Sequence, residues 1–238
     1  FAASGGTAMP GSLTNNGKDM STGFVLKLGA IYQATDTFSL AAAYQSEFDM
    51  SEFDDYSDLF AGGGSFDIPS AIRLGASVQA TPALQLHVDY EQISYSDVSS
   101  VGNPISNLFA CPTAGAGGTD LESCLGGSNG AGFGWDDMEI YKFGLEFQYS
   151  DDLMLRAGYS ITDQPIPTSQ MLFNILAPGV MEQHFTVGFT KSMSGGSEFS
   201  LSFMYAPSNS VSGVNTFDPT QTLELEMSQF ELEIGYRF

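Results

Sequence analysis

The chain has 238 residues, a formal net charge of −21 and only seven Lys and Arg; 15% of its residues are charged and 13% aromatic. So few cations exclude nucleic-acid binding, because phosphates are neutralised by Lys and Arg. Mean hydropathy is −0.01, yet no run approaches the roughly 18 apolar residues of a spanning helix. Aromatics, Gly and Ser stand where helical proteins carry Ala, Leu, Glu and Lys. The opening Phe1-Ala-Ala-Ser-Gly-Gly6 has no basic segment followed by an apolar stretch, so it is not a signal peptide, and a mature or incomplete chain is expected.

Alternation with a period of two predicts strands along the whole chain, because successive strand side chains point to opposite faces. The first runs over about 22–34, with Phe24, Leu26, Leu28, Ala30 and Tyr32 on one face and Lys27, Gly29 and Gln33 on the other. The second, about 38–47, carries Phe38, Leu40, Ala42 and Tyr44. In the third, about 70–80, Ile72, Leu74, Ala76 and Val78 alternate with Arg73, Gly75, Ser77 and Gln79. The fourth, about 84–95, sets Leu84, Leu86, Val88 and Tyr90 against Gln85, His87, Asp89 and Glu91. The fifth, about 137–149, sets Tyr141, Phe143, Leu145, Phe147 and Tyr149 against Lys142, Gly144, Glu146 and Gln148. Leu153, Leu155, Ala157, Tyr159 and Ile161 mark the sixth, Phe185, Val187 and Phe189 the seventh, and Phe199, Leu201, Phe203 and Tyr205 the eighth. The ninth occupies about 222–238; its parity flips between Met227 and Phe230, which predicts a bulge near Ser228-Gln229.

The last nine residues, Phe230-Glu-Leu-Glu-Ile-Gly-Tyr-Arg-Phe238, are the most telling. Phe230, Leu232, Ile234, Tyr236 and Phe238 share a face, and in water such a terminal strand would be an open, sticky edge. In a bilayer the same pattern turns apolar residues to lipid and polar ones to a lumen, with backbone groups satisfied between strands. The ending resembles the terminal strand of bacterial outer-membrane barrels, whose final aromatic is read by the barrel assembly machinery; Phe238 takes that place. The fold class is therefore all-β, a transmembrane antiparallel up-and-down β-barrel, in the bacterial outer membrane.

Connections alternate in length. Thr35-Asp36-Thr37, Thr81-Pro82-Ala83, Asp151-Asp152 and Met193–Ser197 are short, whereas 48–69, 96–136, 162–182 and 208–221 are long. Short turns belong to the periplasmic side and long loops to the outside, which puts the C-terminus in the periplasm. An odd strand count with termini on opposite sides does not suit a bacterial barrel. Residues 1–21 are then expected to be the end of an extracellular loop, and 1–238 a single barrel domain, incomplete at its N-terminus.

Asp163-Gln-Pro-Ile-Pro-Thr-Ser-Gln-Met-Leu-Phe-Asn-Ile-Leu-Ala-Pro-Gly-Val180, continuing through Glu182-Gln-His-Phe-Thr-Val-Gly-Phe189, resembles the FadL/TodX family of hydrophobic-compound transporters. Ile68-Pro-Ser-Ala-Ile-Arg-Leu-Gly-Ala76, followed by the Val88-Asp89-Tyr90 strand, resembles it too, and the likeness covers most of 22–238. The resemblance implies a barrel of about fourteen strands with these nine last, and an N-terminal hatch upstream of this sequence. It also implies passive uptake of long-chain fatty acids or other hydrophobic molecules.

Such a carrier needs an apolar capture surface and an apolar pocket with few polar groups. Met50, Phe53, Tyr56, Leu59 and Phe60 fall on one face of a predicted short helix, with Glu52, Asp54, Asp55 and Asp58 largely opposite. By family position this loop contributes to an outer groove; the same face also suits packing against other loops. Lys27, Arg73, Lys142, Arg156 and Arg237 have lumen parity. Structural ion pairs with Asp89, Glu91, Glu146, Glu231 and Glu233 are the stronger expectation for them. Lys27, Arg73 and Arg156 are the candidates for a ligand carboxylate. Met171, Leu172, Phe173, Ile175 and Leu176 are candidates to line a pocket, and as a plain loop cap they would be equally apolar.

Cys111 and Cys124 share one Gly-rich loop, where an oxidising exterior favours a disulfide. Trp135 and Tyr141 suit an interfacial aromatic girdle. Asp54-Asp55-Tyr56-Ser57-Asp58 lacks the spacing and glycine of a calcium loop, and no metal or cofactor is expected. His87 and His184 both have lumen parity, so a lipase triad at the lipid rim is not in prospect and no enzyme is expected. The expected partners are fatty acids or hydrocarbons, together with outer-membrane lipid and lipopolysaccharide, and a monomer is the expected state. The alternative is a polar-solute porin or a surface adhesion protein. Against a porin, the small or apolar lumen residues Gly29, Ala41, Ala43, Gly75, Met154, Gly158 and Met204 favour a narrow or apolar interior.

Overall fold

The computed structural model describes residues 11–238; of the expected N-terminal loop, 1–10 lie outside the described residues. Nine strands among the described residues form one antiparallel sheet in which each pairs with its chain neighbours. They are β1 (Lys27–Thr35), β2 (Phe38–Gln45), β3 (Ala71–Thr81), β4 (Leu84–Ile93), β5 (Met138–Ser150), β6 (Leu153–Thr162), β7 (Gln183–Ser192), β8 (Glu198–Asn215) and β9 (Asp218–Arg237). β1 and β9 form the two edges of the sheet.

The register converts the alternation into rows. Val88, Phe143, Tyr159, Phe185, Tyr205 and Phe230 lie side by side across β4–β9. Their neighbours in the next row, Leu86, Leu145, Ala157, Val187, Phe203 and Leu232, repeat the pattern. Apart from the half-buried Ala157 and Tyr159, these side chains are exposed in the chain alone, Val187 at 56% and Leu232 at 61%, the inversion expected where lipid replaces water as solvent. The opposite face carries the row Gln85, Glu146, Arg156, Gly188, Ser202 and Glu233.

β8 and β9 correct the sequence reading. The expected long loop at 208–221 is instead a continuation of both strands, closed by the turn Thr216-Phe217. At 18 and 20 residues, they are about twice the 9–11 residues that cross a bilayer, so the hairpin rises well above the lipid. The bulge lies on β8, where the register steps from Ala206↔Gln229 to Asn209↔Met227. The extra residue is therefore at Pro207-Ser208, opposite Ser228, and a bulge is where a sheet tolerates proline. Parity along β9 is unbroken. What changes is the side on which apolar residues are placed: below the bulge Phe230, Leu232 and Ile234 face lipid, and above it Leu223, Leu225 and Met227 face inward.

That inward apolar patch receives the loop 163–182. Ile166, Met171, Val180 and Leu225 form a buried cluster, with Trp135, Val211, Leu223 and Met227 packed against it. Gly213 makes the docking fit, because a Cβ there would sit 1.8 Å from the Thr168 carbonyl oxygen. The loops 46–70, 94–137 and 163–182 thus gather as a cap at that end of the sheet, on the side opposite the apolar rows. Cys111 and Cys124 are joined by a disulfide within it, Cα to Cα 4.8 Å. Two residues beyond Cys124, Gly126 and Gly127 accept hydrogen bonds from the backbone of Gly63 and Gly62, tying the stapled loop to the first one.

Candidate functional site

The expected helix over 50–60 does not form. Met50 pairs with Gly23 in a two-residue ladder, Asp54–Tyr56 makes a single 3₁₀ turn, and the Tyr56 hydroxyl donates to the Gly17 carbonyl at 2.6 Å. Asp and Ser in this stretch compete for backbone groups, which favours turns over helix. The five capture candidates therefore divide. Leu59 and Phe60 reach a cavity, Phe53 packs against the Phe60 ring (centroids 6.0 Å apart), and Met50 and Tyr56 are engaged elsewhere.

The cavity reached by Leu59 and Phe60 has a volume of about 230 Å³ and is almost wholly apolar. Phe173 and Leu176 of the 163–182 loop complete it, with Leu125, next to the disulfide, and Phe133. Of the other pocket candidates, Met171 is fully buried in the apolar cluster, and Ile175 is 53% exposed. Leu172 is half-buried and lines neither cavity.

A second cavity of about 380 Å³ lies against the strand ends. Gln45, Ala71, Arg73 and Ile93 supply its wall from β2, β3 and β4, and Phe66, Tyr95, Phe133 and Trp135 its aromatic lining. Sequence reasoning missed Phe66 and Phe133, which sit in aperiodic segments, and Tyr95, at the end of the fourth expected strand. Trp135, expected at a lipid girdle, is instead held inside the cap. Its ring lies 5.0 Å from that of Tyr95, and its indole N–H donates to Asn174 Oδ1 at 2.6 Å. Tyr141 does face outward, 45% exposed beside Tyr90. Asn174, fully buried, also donates to the carbonyls of Phe133 and Gln170, both at 2.7 Å. The Gln170 side chain in turn accepts from the Ile105 amide at 2.8 Å. These two amide side chains latch the 94–137 and 163–182 loops together.

The lumen cations differ sharply in how they are engaged. Glu91, 8% exposed at its side chain, bridges Arg73 (2.6 Å) and Lys142 (2.7 Å). Arg156 pairs with Glu146 at 2.9 Å and donates to Thr190. Arg237 pairs with Glu198, on the neighbouring strand, in place of the expected Glu231 or Glu233. Lys191 pairs with Asp152. Among the described residues Lys27 has no acidic partner; its ammonium lies 5.4 Å from the centre of the Phe48 ring. Lys27 stands opposite Gln45 in the register, and Gln45 lines the second cavity. The histidines are held by hydroxyls, His87 by Ser77 at 2.6 Å and His184 by Ser160 at 3.4 Å.

In the loop that follows β2, burial and the nearby Asp67, Asp97 and Asp49 push the Glu47 carboxyl above its ordinary 4.5. A carboxyl whose pKa is raised by folding opposes the folded loop when ionised, and that opposition fades as pH falls through the raised value. Glu47→Gln is expected to slow hydrogen exchange of residues 46–70 at about pH 7 and to change it little near pH 4, below the ordinary value. Equal effects at both would show that charge is not the cause.

A family model described as outer membrane protein transport protein (OMPP1/FadL/TodX) matches residues 5–229. No curated protein matches the chain. Among solved structures it is similar to the Pseudomonas putida toluene transporter TodX, with TM-score 0.60 and 17% identity, over 91% of this chain and 49% of that one. It is also similar to a Pseudomonas aeruginosa FadL homologue, with TM-score 0.55 and 12% identity, over 88% of this chain and 50% of that one. At these identities the likeness is one of fold, and the chain spans about half the length of these structures. With the lipid-facing rows, the lumen row and the loop cap in place, the match over nearly the whole chain establishes that it belongs to the OMPP1/FadL/TodX family of outer membrane protein transport proteins and resides in the bacterial outer membrane.

Proposed function

We propose that the protein takes up hydrophobic compounds, such as long-chain fatty acids or hydrocarbons, passively across the outer membrane. The observation that carries this is the pair of apolar cavities in the loop cap, one between the loops and one against the strand ends. A water-filled pore does nothing for an apolar solute, and lipopolysaccharide hinders its entry into the outer leaflet. Apolar surface at the rim and apolar space behind it remove that solute from water in steps. Leu59, Phe60, Phe173 and Leu176 are the capture surface in this account, and no residue is assigned catalysis. The exposed Phe238 at the end of β9 is offered to the assembly machinery, and the lipid-facing rows to membrane lipid and the lipid part of lipopolysaccharide; the channel acts as a monomer.

Of the three carboxylate candidates, Arg73 and Arg156 already hold glutamates, so a ligand acid there must displace an anion. Lys27 is free to take one. A charge-assisted contact at a solvated site contributes about 1 kcal/mol. Lys27→Ala is accordingly expected to weaken palmitate binding by roughly five- to tenfold and leave toluene binding unchanged. Titration of the full-length protein in mild detergent measures both, and equal losses for the two probes would remove the carboxylate role.

Mass spectrometry of small molecules extracted from the purified full-length protein, against a porin purified in parallel, tests the function itself. Enriched long-chain acids or neutral hydrocarbons support uptake, the first alone supporting a role for Lys27. Neither being enriched, with small-ion conductance in planar bilayers instead, would promote the porin reading.

A further inference from the structure

We propose that Phe133 is the gate between the outer and inner cavities, acting as a step in the uptake of hydrophobic compounds proposed above. Among the described residues it is the one side chain common to the two linings. The rest of the partition is adjacent pairs of residues that split between the cavities. Ser100 lines the outer and Val101 the inner; Leu176 lines the outer and Ala177 the inner. These pairs form the fixed wall between the two spaces. The Ser100 hydroxyl is bonded to the Ser65 carbonyl, which fixes that wall to the first loop.

The backbone around Phe133 is equally fixed. Gly132 donates to the Asn103 carbonyl at 3.0 Å, Trp135 to Val101 at 3.1 Å, and the Phe133 carbonyl accepts from Asn174. Motion is therefore confined to the ring. Phe133 is half-buried between two buried glycines, so neither adjacent residue carries a side chain that could obstruct it. Gly134 adopts φ +68°, a conformation that disfavours residues with a Cβ, and a Cβ there would lie 2.5 Å from the Gln170 side chain. The ring makes no hydrogen bond that rotation must break; its neighbours are the rings of Phe66 and Trp135, at 6.4 and 6.5 Å.

Volume gives the gate its purpose. Ligand pockets run to about 300–1,000 Å³. The outer cavity, at about 230 Å³, is too small to hold a long ligand whole and serves as a station. The inner one, at about 380 Å³, is within that range. A bound molecule completes its transfer when the ring turns aside, and the ring's return separates it from the outside.

The test is the initial rate of uptake of radiolabelled palmitate and toluene by cells in which the full-length protein is the sole channel of this type. Phe133→Trp is expected to lower both rates about tenfold, equivalent to about 1.4 kcal/mol on the barrier. Phe133→Leu should pass both probes faster than Phe133→Trp, and Phe133→Ala at least as fast as wild type. Each variant is first shown to be a folded barrel by its heat-dependent mobility on gels. The opposite order, with Ala slow and Trp near wild type, would identify a packing residue and overturn the gate; so would folded variants that all match wild type. No uptake by the wild-type protein over cells without it would instead overturn the uptake proposal, and the gate with it.

Discussion

Replacing Asn174 by Ala is expected to release the loop cap while leaving the strands in place. Three partners, buried or half-buried, lose their bond at once: the Trp135 indole N–H and the carbonyls of Phe133 and Gln170. A buried polar group left unsatisfied costs about 1–3 kcal/mol, and water entering the opened site recovers part of that. A net loss of about 3 kcal/mol corresponds to a roughly hundredfold larger opening equilibrium constant. Hydrogen exchange should record it in residues 94–137 and 163–182 and not in β5 to β7, because local opening and global unfolding are separate events. Asn174→Asp should do no better, since its second oxygen faces two carbonyl oxygens. Exchange unchanged in both loops would mean that the apolar cluster around Met171, rather than the amide latch, holds the cap down.

The second large effect is expected at Glu91. This carboxylate pairs with both Arg73 and Lys142 while almost entirely buried itself. Glu91→Leu leaves two cations close together on the lumen wall. Breaking a buried ion pair costs about 3–5 kcal/mol, but both cations are nearly half-exposed, so water reduces the figure to about 1–3 kcal/mol. Urea unfolding of the full-length barrel in lipid vesicles measures it. Adding Arg73→Met to Glu91→Leu should recover part of the loss, because the double variant no longer carries the uncompensated pair. Additive losses would show that Glu91 acts through packing alone.

The membrane-spanning wall was legible because lipid on one side and lumen on the other impose a period of two that few other structures sustain. Lys27, Arg73 and Arg156 could be placed on the lumen face by parity alone. Their state of engagement could not, since it depends on which acid the register brings opposite: Glu198 for Arg237, Glu91 for both Arg73 and Lys142. The same lipid logic explains the error at 208–221. Above the bilayer the outer face no longer needs apolar residues, so Ser208–Asn215 reads as a polar loop although it is strand. Leu223, Leu225 and Met227 then read as a parity slip, when they mark the height at which the apolar side moves inward. The cap was the least legible part. Phe66, Tyr95, Phe133 and Asn174 come from three loops whose meeting depends on the shape of the whole. The Gly132-Phe133-Gly134 triplet was the one local hint, an aromatic held between two residues that leave it room.

Passage itself is the most direct test of uptake. Full-length protein produced in cells lacking other channels of its family should accelerate uptake of radiolabelled palmitate or toluene over empty-vector cells, and the purified protein should show little conductance to small ions. A channel that conducts ions freely and leaves the uptake of both hydrophobic probes at the empty-vector rate would contradict it.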